Sequence, residues 1–293
     1  MAKWLRSNVC NYAQQESGAF RHWHEEFKEA PSRPHRKLWE YSYIAQALHE
    51  RGMLAPGRRG LGFGVGREPL VALFARYGCE VVATDLDAQR ASEQGWVESG
   101  EHASDLEALN QKRICDPELF RQRVSSRIVN MNEIPHDLRN FNFLWSSCSL
   151  EHVGSIELGM QFILNAMDCL KPGGVAVHTT EYNLSSDVVT IDNNSTVLFR
   201  KRDIKELARR LAAAGYKIDL DLRVGNRIFD NFVDVPPYRH NPHLRLLLDG
   251  YITTSIGLII HKRRAPSMVG SGRPLAGRVM HGVRRVLRRV ARP

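Results

Sequence analysis

The chain has 293 residues, enough for one large domain or two small ones with a substantial buried core. A composition of 43% hydrophobic and 25% charged residues excludes collagen-like, wholly disordered and disulfide-scaffold proteins. The net charge of +9 is concentrated at one end, because residues 262–293 hold ten basic and no acidic residues. The rest of the chain is close to neutral, with 31 basic against 32 acidic residues.

The predicted elements begin with helices rich in polar and aromatic residues. Residues 1–56 are expected to form a helical extension that covers an acceptor, with a helix over residues 35–54 that Pro56-Gly57 ends. Strand-like and helix-like segments then alternate over residues 57–262. This alternation predicts an α/β fold: a Rossmann-like, doubly wound, mostly parallel seven-stranded sheet with helices on both faces.

The remaining elements follow from apolar patterning and turn residues. Strands are predicted at residues 59–63, 80–85, 127–130, 141–146, 175–180 and 251–261. Helices are predicted at residues 69–77, after Ser155 and before Gly215, the last with Asp203 and Glu206 as a capping box. Residues 224–250 interrupt the last two strands and are expected to lie near the acceptor site, whereas residues 263–293 form a separate basic tail.

Cysteine usage and hydropathy predict a cytoplasmic protein. The five cysteines are odd in number and form no C-x-x-C pair, as expected of reduced thiols. No apolar stretch approaches the roughly 18 residues of a membrane-spanning helix, and the first residues lack the apolar run of a secretory signal.

A glycine-rich loop follows the first predicted strand of the sheet and precedes a helix. It reads Gly60-Leu-Gly62-Phe-Gly64-Val-Gly66, and Asp85 closes the next strand. Glycines allow close approach of a ligand to the backbone, and the carboxylate could accept hydrogen bonds from two ribose hydroxyls. The spacing differs from the G-x-G-x-x-G dinucleotide fingerprint, because Arg67 stands at the last glycine position. The alternative is a purely structural turn.

Motifs in order along residues 57–261 resemble those of class I S-adenosylmethionine-dependent methyltransferases. They are the glycine loop, Asp85, the run Asn130-Met-Asn-Glu-Ile-Pro, the run Ser146-Ser-Cys-Ser-Leu-Glu-His-Val and the run Leu170-Lys-Pro-Gly-Gly. The resemblance implies S-adenosylmethionine as cofactor, with contacts from Gly60, Gly62, Gly64, Gly66, Asp85, Leu86, Asn130, Met131 and Ser147.

Two positions depart from the family pattern. Gly60 stands where the family usually has an acid, and Asn130 stands where aspartate is common. An amide can still donate and accept at an adenine edge. The absent acid leaves the cofactor's amino group without its usual partner, so a catalytically silent protein with this fold is one alternative.

Candidate catalytic residues follow the fourth and fifth predicted strands. Methyl transfer needs an aligned acceptor and a group that takes its proton, and both belong at the carboxyl ends of the strands. The candidates are His152, Glu151, His178 and Glu181, with His152 as the first choice for the base. The alternative is that Glu151 and His152 start a helix and that His178 is a buried, hydrogen-bonded histidine.

The pair Glu151-His152 is also similar to a Glu-His pair in ubiquinone-type and small-RNA 2′-O-methyltransferases, some of which hold a divalent metal. Together with His178 or Glu181 it could bind such an ion. Cys148 replaces a further glutamate of that pattern, so no metal is expected.

The chain as a whole also resembles type-11-like methyltransferases of bacterial polysaccharide biosynthesis, especially in the runs Cys148-Ser-Leu-Glu-His-Val-Gly, Ala176-Val-His-Thr-Thr-Glu-Tyr-Asn and Asp234-Val-Pro-Pro-Tyr. This resemblance implies O-methylation of a sugar hydroxyl. Arginines opposite valines and Leu287 in the tail predict a short amphipathic helix at an anionic membrane surface, with a disordered tail as the alternative. Small-molecule or RNA methylation remains open as the reaction. A nucleic-acid partner is disfavoured by the near-neutral body, and a nicotinamide oxidoreductase by the loop spacing.

Overall fold

The computed structural model describes residues 4–29, 34–93, 103, 105–193 and 195–263. Residues 264–293 lie outside the described part, and with them almost the whole of the predicted basic tail. Among the described residues, no helix has both the length and the apolar character to cross a bilayer.

The described residues contain eight α-helices and eleven strands. The helices are α1 (Tyr12–Gln15), α2 (Gly18–Glu26), α3 (Arg36–Glu50), α4 (Leu70–Arg76), α5 (Ala88–Glu93), α6 (Pro117–Arg123), α7 (Ile156–Ala166) and α8 (Lys201–Ala213). The strands are β1 (Ser7–Val9), β2 (Arg59–Phe63), β3 (Glu80–Asp85), β4 (Val124–Ile128), β5 (Phe141–Ser147), β6 (Leu170–Asn183), β7 (Lys217–Ile218), β8 (Leu220–Asp221), β9 (Val233–Asp234), β10 (Arg245–Leu248) and β11 (Tyr251–His261).

The strands form one sheet in the order β4-β3-β2-β5-β6-β11-β1-β8. The first five are parallel, and β11 joins β6 antiparallel. The predicted α/β, doubly wound and mostly parallel fold is therefore confirmed. The sheet has more strands than predicted because short strands without a strand-like sequence pattern are added around β11.

The sheet separates two apolar cores, as expected when side chains of a strand alternate between faces. Phe143 and Trp145 of β5 pack on one face with the aromatic side chains of α2 and α3. Leu144, between them in sequence, belongs to the other face, where α7 and α8 pack. Because helices cover both faces, the ligand-binding edge is left at the carboxyl ends of the parallel strands.

Several element boundaries differ from the prediction. The third strand of the sheet covers Val124–Ile128 instead of residues 127–130, and β6 begins before the Pro-Gly-Gly turn instead of after it. The predicted capping box was wrong by three residues: α8 begins at Lys201, and Asp203 accepts the backbone N–H of Arg200 at 2.9 Å. Charged residues around a helix start fit several registers, so the sequence pattern is compatible with more than one boundary.

Candidate functional site

A cavity of about 830 Å³ opens at the carboxyl ends of β2, β3, β5 and β6. Its volume lies within the range of about 300–1,000 Å³ that small-molecule sites occupy. Its walls come from the glycine loop, the end of β3, the segment after β4, the segment after β5 and the start of α3. The order of the sheet reverses between β2 and β5, and open α/β sheets bind ligands at such a point.

The glycine loop has a backbone that only glycine adopts without strain. Gly64 has φ +56° and Gly66 has φ +47°. A Cβ atom on Gly64 would lie 2.7 Å from the Cβ of Ser149, which follows β5. The loop therefore presents bare backbone to the cavity and packs closely against the end of β5.

Asp85 connects this loop to the end of β3. Its Oδ2 accepts the N–H of Gly66 at 2.9 Å, and its Oδ1 accepts the N–H of Leu86 at 2.8 Å. The carboxylate also lines the cavity. Asp85 thus holds the loop in place and faces the cavity at the same time.

Hydrogen bonds of Asn130 and Asn132 hold the segment that follows β4. Asn130 accepts the N–H of Asn132 at 3.0 Å, and Asn132 donates to the carbonyl oxygen of Val153 at 3.0 Å. Met131 lies between them, is 8% exposed and lines the cavity. This arrangement offers an apolar surface beside an amide, which suits a flat polar ring.

Seven of the nine predicted cofactor residues line the cavity: Gly64, Gly66, Asp85, Leu86, Asn130, Met131 and Ser147. Gly60 and Gly62 lie within β2 and face two aromatic rings of β5. A Cβ on Gly60 would lie 2.4 Å from Phe143, and one on Gly62 would lie 2.5 Å from Trp145. These two glycines therefore make room for the stacked rings of Phe143 and Trp145 instead of lining the cavity.

An acidic side chain at position 60 is expected to damage the fold. We expect Gly60→Asp to lower the free energy of unfolding by about 3 kcal/mol, because the side chain would overlap Phe143 and bury a carboxylate. Urea denaturation measures the change. Gly18→Ala is the matched control, since no atom lies within 4 Å of its added Cβ. A Gly60→Asp chain as stable as the unaltered chain would contradict the packing argument.

Glu68 is a cavity residue that the sequence analysis missed. It lies two residues after the loop, is 5% exposed, and accepts a hydrogen bond from the indole N–H of Trp145. Burial raises its pKa to about 8, although the bond from Trp145 opposes this rise. The sequence shows that Glu68 comes two residues after Gly66, but it does not show that Glu68 is buried. That burial depends on Trp145, which lies in β5.

The cavity lining also includes an ion pair of largely buried side chains. Arg36, at the start of α3, forms an ion pair with Glu181 at the end of β6 and lies 3.8 Å from Glu40. Thr253 of β11 donates to Glu181 at 2.8 Å. Burial alone would lower the pKa of Arg36, but the facing carboxylates raise it, so the side chain stays charged.

Glu151 and His152 lie in a short 3₁₀ turn that follows β5. Glu151 is 1% exposed and accepts the hydroxyl hydrogen of Thr180 at 3.1 Å. Burial raises the pKa of Glu151. His152 places Nδ1 2.8 Å from the carbonyl oxygen of Ser195, so Nδ1 carries the proton and Nε2 is the basic nitrogen of the neutral ring. Both residues line the cavity.

His178 lies away from the cavity, in contrast to the other three predicted catalytic residues. Its ring is fully buried under α7, with Nδ1 2.8 Å from the hydroxyl of Ser146 and an edge contact to Phe162. Burial lowers its pKa to about 3. The geometry matches a buried histidine in the core, and it gives His178 no access to an acceptor.

The metal set of Glu151, His152 and His178, which the sequence analysis named but did not favour, is not among the ligand groups that the described residues form. The described residues group the thiol of Cys148 with the carboxylates of Glu151 and Glu181, with ligand atoms within 4.8 Å of one another. Burial raises the pKa of the Cys148 thiol well above its ordinary value, which disfavours the thiolate that a metal needs.

The N-terminal helices contribute fewer side chains to the cavity than expected. Trp23, Trp39 and Tyr43 are fully buried in the core between α2, α3 and the sheet. Of this part of the chain, Arg36, Lys37 and Tyr41 line the cavity. The segment of residues 224–250 contributes Leu248.

Comparison with known proteins gives matches among solved structures. No protein-family model matches the chain. No curated protein matches it. Similar structures include the 1,6-didemethyltoxoflavin-N1-methyltransferase of Burkholderia thailandensis with bound 1,6-didemethyltoxoflavin and S-adenosylhomocysteine, at 16% identity over 86% of this chain and 89% of that one, TM-score 0.47.

Two further structures are the glycopeptide N-methyltransferase MtfA in complex with sinefungin and a SAM-dependent methyltransferase of Aquifex aeolicus. The first is 14% identical over 75% of this chain and 85% of its own, with a TM-score of 0.46. The second is 12% identical over 74% and 88% of the two chains, with a TM-score of 0.42. At these values the likeness is one of fold.

Proposed function

We propose that this chain is an S-adenosylmethionine-dependent methyltransferase that acts on a hydroxyl oxygen of a sugar or a similar small polar acceptor. The observation that carries the proposal is the cavity itself. Its lining combines a bare glycine loop, Asp85 and Asn130 with Glu151, His152 and the pair of Arg36 with Glu181. Donor and acceptor sites meet in one space.

The residues at the loop end fit this cofactor. Asp85 faces the cavity with acceptor oxygens suited to ribose hydroxyls, and Met131 with Asn130 offers a surface and an amide for adenine. The left-handed backbone of Gly64 and Gly66 allows the methionine part to approach the loop closely. When bound, the cofactor supplies a methyl group on a positively charged sulphur.

His152 is the proposed base. Its Nε2 would take the acceptor's hydroxyl proton as the oxygen bonds to the methyl carbon and the carbon–sulphur electron pair returns to sulphur. The bond between Nδ1 and the carbonyl of Ser195 fixes the ring's tautomer for this step. The ion pair of Arg36 with Glu181 would orient acceptor hydroxyls, because each partner can hydrogen-bond to them.

Glu68 is the proposed replacement for the acid that is absent at position 60. Phe143 fills the space beside Gly60, whereas Glu68 reaches the cavity from the other side of the loop. A buried carboxylate held by Trp145 suits the ammonium group of the cofactor's methionine part.

The raised pKa of Glu68 predicts a pH-dependent affinity. Its pKa of about 8 means that the carboxyl is mostly protonated below pH 8, and an ammonium group binds the ionised form. Below about pH 7.5, where the cofactor's α-amino group is still mostly protonated, affinity should therefore rise with pH by up to about tenfold per unit, with release of a proton. Calorimetric titration in buffers of different ionisation enthalpy, from about pH 6 to 7.5, measures both quantities.

Glu68→Gln should remove this pH dependence and bind the cofactor less tightly at about pH 7.5, where the cofactor still carries its ammonium charge. Glu80→Gln serves as the control, because Glu80 is exposed at the start of β3. If the Glu68→Gln chain keeps the pH slope of the unaltered protein, Glu68 does not carry the ammonium group.

The first test of the proposed function is calorimetric titration with S-adenosylmethionine, S-adenosylhomocysteine and NADH. Binding of the first two without NADH supports the proposal, and binding of none favours a silent protein with this fold. Incubation with sugars, amines and RNA, followed by detection of S-adenosylhomocysteine, then compares the acceptor classes. Methylation of an amine but of no hydroxyl compound would overturn the acceptor part of the proposal.

We also propose that residues 263–293 attach the protein to an anionic membrane, on the alternation of arginine and valine over residues 278–290. This would place a cytoplasmic enzyme near a lipid-linked acceptor. Equal binding to anionic vesicles by the full chain and by a chain ending at Arg264 would contradict it.

A further inference from the structure

Three histidines lie together beside the start of α3. His35 precedes the helix, and His240 and His243 lie between β9 and β10. The ring centroids of His35 and His240 are each 4.8 Å from that of His243. One ring nitrogen from each of the three lies within 4.8 Å of the others.

The backbone fixes two of these residues against each other. The N–H of His243 donates to the carbonyl of Pro34 at 2.7 Å, and the N–H of Arg36 donates to the carbonyl of His243 at 3.0 Å. His35 and His243 are thereby paired as in a parallel ladder. The position of one ring relative to the other thus depends on main-chain bonds as well as on side-chain packing.

A buried carboxylate orients His243. Asp234 is 1% exposed, and its Oδ2 lies 2.7 Å from Nδ1 of His243. Asp234 also accepts the backbone N–H of Arg239 at 3.0 Å and that of His240 at 2.9 Å, so its carboxylate oxygens are aimed at N–H donors. Nδ1 of His243 therefore donates, and Nε2 carries the lone pair that a metal ion requires.

The ring of His243 is also held in place by its neighbours. It is 5% exposed and lies against the rings of His35 and His240. A carboxylate behind the Nδ1–H of a histidine is the arrangement that accompanies most metal-binding histidines.

We propose that His35, His240 and His243 form a binding site for one divalent transition-metal ion of the zinc class. Three imidazoles suit zinc, and the exposed side of His240 leaves a fourth position for water. Tetrahedral coordination at about 2.0–2.1 Å requires the three nitrogens to be about 3.3 Å apart. Side-chain rotation, chiefly of the exposed His240, would bring them from within 4.8 Å to this distance.

Binding at this site would be coupled to the cavity. Nδ1 of His35 accepts the backbone N–H of Lys37 at 3.2 Å. Coordination through Nδ1 uses the same lone pair, and coordination through Nε2 places a proton on Nδ1, so this bond is given up in either case. Lys37 and Arg36 line the cavity, as does Leu248 beyond His243. The ion would therefore fasten the segment between β9 and β10 to the first turn of α3.

The test uses the full chain, stripped of metal with a chelator and desalted, and Zn²⁺ alone as the probe. We expect calorimetry to give one site per chain and the melting temperature to rise on Zn²⁺ addition. His240→Ala should abolish that site and the rise in melting temperature. Asp234→Asn should weaken Zn²⁺ binding about 10- to 100-fold. His136→Ala, which alters an exposed histidine elsewhere, should leave both measurements unchanged.

Co²⁺ separates this site from the group at Cys148. Coordination by three histidines gives visible d–d bands without a near-ultraviolet thiolate-to-cobalt band, whereas a thiolate band that Cys148→Ser removes would assign the ion to the cavity. Zn²⁺ binding that is unchanged in His240→Ala, or an absence of stoichiometric binding to the full chain, would overturn the proposal.

Discussion

Asp85→Asn is expected to weaken S-adenosylmethionine binding by about 10- to 100-fold, the effect of losing one hydrogen bond with a charged partner. Both oxygens of Asp85 already accept backbone N–H groups, one from Gly66 and one from Leu86. An asparagine has one acceptor oxygen and an uncharged NH₂ group. The NH₂ group would either face an N–H donor of the loop, which it cannot accept, or meet a ribose hydroxyl without the negative charge of the carboxylate. The glycine loop and the ribose site are thus weakened together.

Titration calorimetry with the cofactor and its demethylated product measures this loss, and urea denaturation shows whether the fold survives. Asp168→Asn, at an exposed position after α7, is the matched control and should bind as the unaltered chain does. An Asp85→Asn chain that is folded and binds the cofactor with full affinity would place the ribose elsewhere.

That Gly64, Asp85 and Asn130 line one cavity could be predicted because their signals are local. Gly64 follows β2, Asp85 is the last residue of β3 and Asn130 comes shortly after β4, and the carboxyl ends of parallel strands meet at one edge. Strand boundaries were less secure: β4 ends at Ile128, two residues before Asn130, although the strand was expected to include it. Asn130 nevertheless lies at the predicted edge of the sheet, because it lines the cavity there.

The buried charges around Arg36 could not be predicted from the sequence pattern. Arg36 and Glu40 are one helical turn apart in α3, a spacing typical of an exposed ion pair. In the structure Glu40 is fully buried, and its carboxylate accepts the hydroxyl hydrogen of Ser255 in β11. Burial would raise the pKa of Glu40, but Lys37 and Arg36 lower it below its usual value. Its partner is more than 200 residues away in sequence, so no local pattern indicates the burial.

The alternation of side chains along β6 explains why His178 and Glu181 lie on opposite faces of the sheet. Residues three apart on a strand point to opposite faces. His178 shares its face with Ala176, whose side chain packs in the core under α7 and α8, whereas Glu181 pairs with Arg36 of α3 on the other side. Thr180, on the face of His178, reaches Glu151. The alternation of side chains along a strand is therefore sufficient, without tertiary contacts, to separate these two candidates.

His152→Ala is expected to lower kcat by about 10²- to 10⁴-fold with the acceptor that the screen identifies, the usual contribution of a general base. Cofactor affinity should stay nearly unchanged, because the proposed base contacts the hydroxyl of the acceptor and is given no contact with the cofactor. Glu151→Gln tests the competing assignment. Burial raises the pKa of Glu151, which makes this carboxyl a stronger base than an exposed one.

Stopped assays of S-adenosylhomocysteine formation across pH distinguish the two residues. If His152 takes the proton, His152→Ala abolishes the acidic limb of the pH profile, and Glu151→Gln lowers kcat without removing that limb. His136→Ala is the control, an exposed histidine outside the cavity lining. His152→Gln adds a further check. A glutamine NH₂ group can donate to the carbonyl of Ser195 as Nδ1 does, but it supplies no basic nitrogen, so kcat should stay as low as in His152→Ala. Full activity of His152→Ala together with a lost acidic limb in Glu151→Gln would assign the proton transfer to Glu151 instead.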